Sequence, residues 1–395
     1  MATTSPSPGE SRRVEFIDLL RGWAVIVMIE THVMNATLRS DITAGGVFQY
    51  VKFLNGLVAP SFLFASGLAW AITARRKHAE YTTPGAGLRR QCARLLMIAA
   101  VGYLLHLPKF SLGKLLYDTT GEEWRSFFMV DILQCIAVSL LAMQILLFVH
   151  KSERRMYSSL MGITVVMLWA TPLLWGFDFW SVMPWPVAAY LNGVHYSLFP
   201  LFPWSVFLFA GALFGYAYLR ARDRAAAGSA PGALTGMMRM VPVWAIALIA
   251  ASVLLEPVLS GFYPVYDYWR YSPGFVLIRI GLVLLLAAGM FWYEHRRDVA
   301  PGSIVTLLGR HSLMVYALHL MLIYGTFGSY SFHRWAGRTF GYGEALVTTG
   351  VLLVAMISLA LGMTYYSKQS LRLRTAVRWS AGGLFLGVFV FGFAA

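Results

Sequence analysis

Apolar runs of about twenty residues recur along almost the whole chain, separated by short polar stretches. They predict eleven helices, at about 15–36, 51–73, 92–107, 127–149, 157–176, 199–219, 240–259, 274–293, 303–325, 344–366 and 376–394. A spanning helix needs about 20 mainly apolar residues, because the hydrocarbon core is about 30 Å thick and a helix rises about 1.5 Å per residue. In lipid a backbone must satisfy its own hydrogen bonds, so the expected fold is all-α: a polytopic integral membrane protein with about eleven transmembrane helices. The third run is short, consistent with a tilted or partly re-entrant segment. Residues 1–14 read as a polar tail and 15–395 as one helical domain. The opening MATTSPSPGESRR has the look of a signal-peptide n-region, yet the run after it is long and ends without a small-residue cleavage pattern, so it reads as an uncleaved first span.

Composition supports this class. Apolar residues make up 58% and charged residues 13%, against about 25% charged in soluble chains. The net charge of +14 points to topology rather than to nucleic acid, because the basic residues sit in short loops and no basic domain stands clear of the membrane. With the N-terminus in the cytoplasm, inner segments hold twenty-one Lys and Arg and outer segments eight. That bias, with an odd span count, predicts an extracytoplasmic C-terminus in a plasma (inner) membrane. Cys92 and Cys135 fall in predicted helices and suggest neither a disulfide framework nor a metal site. The one low-complexity stretch, AAAGSAPGAL at 225–234, reads as an inner loop.

The first run, RRVEFIDLLRGWAVIVMIETHVMNA, changes the picture, because Asp18, Arg21, Glu30 and His32 lie within it. Ionisable side chains in a spanning helix are costly and mark functional candidates. Arg21 and His32 are eleven residues apart, close to three turns, so they share a face and are separated by roughly 16 Å along the axis. The ninth run repeats the arrangement with Arg310 and His319. Both histidines are expected roughly 24 Å from the inner face, at the level of Glu30 and of Asp131, which opens the fourth span from outside. An imidazole titrates near neutrality and can take a proton from a hydroxyl or amine, and a carboxylate beside it fixes its tautomer. Inner arginines suit phosphates, since a guanidinium stays charged and bonds in a fork. The plainer readings are a histidine bonding a neighbouring helix and an intramembrane ion pair such as Asp18 with Arg21. His78, His106, His150, His195, His295, His311 and His333 lie near loops or span ends and read as interfacial. The aromatic outer loops, such as FDFWSVMPWPVAAYLNGVHYSLFP, read as an interfacial belt or as the walls of an acceptor site.

The segments FIDLLRGWAVIVMIETH, APSFLFASGLAWAI, VDILQCIAVSLL, LFPWSVFLFAGALFGY and GRHSLMVYALHLML, in that order, resemble the multi-span transmembrane acyltransferases. The closer similarity is to bacterial relatives of heparan-α-glucosaminide N-acetyltransferase, and the broader one is to acyltransferase family three, whose arginine-to-histidine spacing Arg21 and His32 match. The resemblance implies transfer of an acyl group, acetyl above all, from cytosolic acyl-coenzyme A to a hydroxyl or amine of a glycan-like acceptor outside. It makes His32 the base, with Glu30, Asp131 and His319 assisting, and Asp18, Arg21 and Arg310 the donor side, with basic loop residues such as Arg89 or Arg90 and no metal. The expected partners are acyl-coenzyme A, the acceptor and membrane lipid; homodimerisation stays open. There is one departure. In the heparan enzyme asparagine stands at the position of His32 and the catalytic histidine comes later, before span two, whereas this chain has no histidine between His32 and His78. The alternative functions are a transporter for a polar solute using the same buried charges, and an inactive acyltransferase-like fold that binds lipid or a partner.

Overall fold

The computed structural model describes residues 14–297, 303–325 and 331–391. Among them the long elements are all helices: α1 (Glu15–Thr37), α2 (Gly46–Asn55), α3 (Val58–Arg76), α4 (Ala86–Leu105), α5 (Ile132–His150), α6 (Glu153–Trp175), α7 (Leu201–Ala226), α8 (Ala233–Leu254), α9 (Pro273–Arg296), α10 (Ile304–Arg310), α11 (Ser312–Tyr324), α12 (Tyr342–Ser367) and α13 (Leu371–Phe391). Short helices fill several of the loops between them. No strand forms among the described residues; the one extended pairing is an isolated parallel bridge between Leu38 and Phe340.

Each of the eleven predicted runs overlaps a helix, the last as far as Phe391, since residues 392–394 of that run lie outside the described residues. Seven helical segments are long and apolar enough to cross a membrane, or up to eight if a bent pair counts as one span. The second predicted run is α2 and α3 taken together, Gly46–Arg76. The ninth is that bent pair, α10 and α11, which meet at 86°. Helices α1, α4 and α13 fall outside the seven. In α1 and α4 the polar load is visible in the sequence, with Glu15, Asp18, Arg21 and Glu30 in one and Arg89, Arg90 and Arg94 in the other.

Helix α1 runs through the core and packs against α3, α9, α10, α11 and α12. Its residues are buried on nearly every side, from Phe16 and Leu20 at one end through Val25 and Ile29 to Val33 at the other. A surface helix would bury one stripe, so this all-round burial marks a central element. Helices α3 and α7 pack side by side, as do α8 with α9 and α4 with α5. Lipid tails are as apolar as leucine, so such contacts are stabilised by close van der Waals fit rather than by escape from water. Gly22 and Gly309 illustrate the fit. A Cβ on Gly22 would lie 1.9 Å from the Val305 carbonyl oxygen, and one on Gly309 would lie 2.1 Å from that of Asp18. Only glycines let α1 and α10 touch backbone to backbone. By contrast α13 exposes most of its length, and its Phe385 and Phe389 meet Phe110.

Candidate active site

The start of α1 is built from charges. A helix leaves its first backbone N–H groups without internal partners, and here Glu15 and Phe16 donate theirs to the Glu294 carboxylate at the end of α9, at 3.3 and 2.8 Å. Arg310, at the α10–α11 bend, donates from Nη2 to both oxygens of Glu15 at 3.1 and 3.0 Å. Its Nε reaches Asp18 at 3.4 Å. Asp18 is 4% exposed. The structure therefore brings Asp18 and Arg310 together, but as one ion cluster closed by Glu15, a residue that the sequence pattern did not single out. Nε and Nη2 of the guanidinium expected at the donor phosphates are taken by carboxylates. Arg21 is half-buried one turn further along α1.

At the far end of α1 the two histidines converge. The rings of His32 and His319 are 5.2 Å apart between centres. His319 is fully buried, and its Nδ1 lies 2.7 Å from the Val315 carbonyl oxygen. A carbonyl only accepts, so Nδ1 carries the proton and the neutral ring presents Nε2 as a lone pair. That Nε2 has no hydrogen-bond partner among the described residues. A neutral His319 held in this way cannot donate to a thioester carbonyl; it can only receive. His32 has Tyr324 beside it, with the phenol oxygen 3.5 Å from Nδ1 and the two rings edge to face.

Asp131 and Glu30 sit differently from the expectation that one of them would orient His32. Asp131 accepts from its own helix at Ile132 N (2.7 Å), from His106 Nε2 (3.1 Å) and from the Tyr316 hydroxyl (3.1 Å). It reaches the histidine pair through Tyr316, whose ring centre is 5.9 Å from that of His319. His106, read from its place at a span end as interfacial, is thus part of a buried network. Glu30 lies two residues before His32, and residues so spaced do not share a helix face. Its polar neighbours are Thr31 and Asn55. Tyr316 could have been noticed, since it stands three residues before His319 and shares its face; nothing local pointed to its bond with Asp131.

Next to His32 on α1 opens a cavity of about 860 Å³, lined by Thr31 and Asn35 from α1 and by aromatic residues from α2, α6, α7 and α9. Beyond it the loops carry their own ion pairs. Asp178 is held below the usual carboxylate range by His195, whose Nε2 is 2.9 Å away. Among the described residues no group of three His, Cys, Asp or Glu side chains is placed to hold a metal ion.

Comparison with known proteins adds one match. Residues 13–241 fit the family model described as heparan-alpha-glucosaminide N-acetyltransferase, catalytic. The matched segment contains Arg21, Glu30, His32, His106 and Asp131, and ends before Arg279, Arg310 and His319. No match was found among curated protein sequences.

Proposed function

Because the chain belongs to the heparan-alpha-glucosaminide N-acetyltransferase catalytic family, we propose that it transfers acetyl from cytosolic acyl-coenzyme A to a hydroxyl or amine of a glycan-like acceptor outside, with His32 as general base. Membership and the apolar helices make it an integral membrane acyltransferase. The N-terminus is cytoplasmic and the membrane is the plasma (inner) membrane of a bacterium. The single observation that carries the catalytic assignment is the approach of His32 and His319 to 5.2 Å, with an unpartnered ring nitrogen between α1 and α11.

The acceptor oxygen or nitrogen attacks the thioester carbonyl carbon while its proton passes to the His32 ring. The carbon–sulfur bond breaks, and the departing thiolate recovers that proton from the imidazolium. General base catalysis of this kind contributes roughly 10²- to 10⁴-fold. His319, with its Nε2 lone pair, serves as the proton-accepting partner of His32 rather than as a donor to the carbonyl. Asp131 is a positioning residue, fixing Tyr316 and His106 behind the pair. On the donor side Arg21 is the cation for the phosphates, assisted by Arg89 and Arg90, while Arg310 holds Glu15 and Asp18 in place.

One observation favours a second reading. Transporters place polar sites at broken helices, and α10 and α11 break at 86° beside Arg310. The two readings separate in proteoliposomes. The acyltransferase releases free coenzyme A thiol when acetyl-coenzyme A and an acceptor are on opposite sides. Solute flux without acyl donor and without thiol release would replace it with the transporter.

A further inference from the structure

Arg279 is the intramembrane cation that the catalytic account leaves unused. It sits on α9, 7% exposed, and Nε and Nη1 are both buried without a hydrogen-bond partner among the described residues. No salt bridge reaches it from the described residues. Its contacts are the ring of Phe275, 4.7 Å from Cζ, and that of Phe53 at 5.7 Å. Aromatic faces attract a cation but cannot accept hydrogen bonds from a guanidinium in its own plane. The chain nevertheless makes room for the group: a Cβ on Gly56 would stand 2.6 Å from Nη1 and 2.7 Å from Nη2. An unpaired buried charge is costly and is retained where a ligand completes it.

The guanidinium lines the 860 Å³ cavity beside α1. Trp175, Trp204 and Trp269 give that cavity flat apolar walls, while Asn35 and Asn55 offer amides. The other charged groups lining it are Lys52, Arg270 and Asp267, so with Arg279 the balance is positive. Arg270 is already engaged, stacked on Trp175 and donating to the Gly193 carbonyl. Pockets with aromatic walls and a few convergent polar groups are built for small ligands, and a guanidinium fork matches a carboxylate or a phosphate. The cavity also borders the reaction centre along the chain, since Thr31 and Asn35 flank His32.

We propose that this cavity is an anion-recognising acceptor subsite, in which Arg279 binds the acid group of an acidic sugar whose ring lies against the tryptophans. The inference rests on the acyltransferase reading for the word acceptor, but not for binding, and Arg279 lies outside the segment that matches the family.

The test uses wild-type protein in phosphatidylcholine nanodiscs, without acyl donor, and follows tryptophan fluorescence on titration with galacturonic acid, galactose or glycerol 3-phosphate. Galacturonic acid is expected to bind at least tenfold more tightly than either of the others. Arg279→Met and Arg279→Gln are expected to bind the two sugars alike and to melt no lower than wild type, since they remove an unpaired charge. Equal binding of the two sugars by wild type overturns the proposal, as does a preference that survives both substitutions or failure of both variants to fold, which would mark a structural cation. Tighter binding of glycerol 3-phosphate than of galacturonic acid also overturns it and assigns the cation to a lipid headgroup. Acetyl transfer measured separately keeps the two claims apart: transfer without acid preference sinks only this subsite, and acid preference without transfer sinks only the catalytic reading.

Discussion

At the start of α1, Arg310 gives its hydrogen bonds to Glu15 and Asp18, and Glu294 takes the first free N–H groups of the helix. Around its far half, His319 Nε2 and the Arg279 Nε and Nη1 are buried with no hydrogen-bond partner among the described residues. The two regions hold similar numbers of ionisable groups but use them differently. Matched charges in a low-dielectric interior fix one helix against another, and removing either partner strands the other. Unmatched polar atoms cost about 1–3 kcal/mol each and are stabilised only when something else arrives. The difference separates the part of α1 that holds the fold from the part that meets substrate.

Substitutions can break this contrast. The largest effect is expected from His32→Ala: acetyl transfer falls by roughly 10²- to 10⁴-fold with the melting temperature close to wild type. A large drop in melting temperature would move His32 to the structural side. Next comes Arg310→Met, which takes the guanidinium away from Glu15 and Asp18. It should cost about 3 kcal/mol of stability, read as lost protection in thermal or denaturant unfolding. If instead the fold is unchanged and the KM for acyl-coenzyme A rises, the cluster is a donor site after all. Tyr316→Phe removes one of the three donors to Asp131 and should cost about 1 kcal/mol, lowering the transfer rate less than His32→Ala does.

The smallest effect lies outside the membrane. Thr120 and Glu123 form a capping box on the helix Gly121–Phe127, a reciprocal arrangement that satisfies free N–H groups at its start. Glu123 is held down to about 2, chiefly by its hydrogen bond to Lys109 and then by the Thr120 backbone N–H. A carboxyl depressed on folding contributes stability above its unfolded value, near 4.5, and loses it as pH falls toward 2. Amide exchange in Gly121–Phe127 should therefore quicken between about pH 4.5 and 2. Exchange that stays constant over that range would show that the Glu123 carboxylate does not hold this helix start.

How much of this was legible in the sequence depended on whether local spacing carried the information. The shared face of Arg21 and His32 follows from helical phase alone, and α1 is an unbroken helix from Glu15 to Thr37. Depth along two spans was enough to expect His32 near His319. The bend was not legible, because no proline marks it. It occurs where Gly309 meets the Asp18 backbone, a contact set by tertiary packing. The same holds for Asp131, whose carboxylate was expected beside His32 but is taken by its own helix start, by His106 and by Tyr316 from a distant helix. Arg279 was visible as a charge inside an apolar run, but its lack of a partner could be seen only once α2 and α9 were placed together. The apolar pattern located the long helices but not the short ones in the loops; nor did it separate spans from helices such as α4, whose basic start keeps it outside the seven.

The central claim is that the imidazole of His32 takes the acceptor proton, and chemical rescue tests it most directly. His32→Ala protein, purified and supplied with acetyl-coenzyme A and acceptor, should release thiol slowly and recover rate in proportion to imidazole added to the buffer, while wild type does not respond. His32→Ala protein that transfers acetyl at the wild-type rate without imidazole would contradict the account.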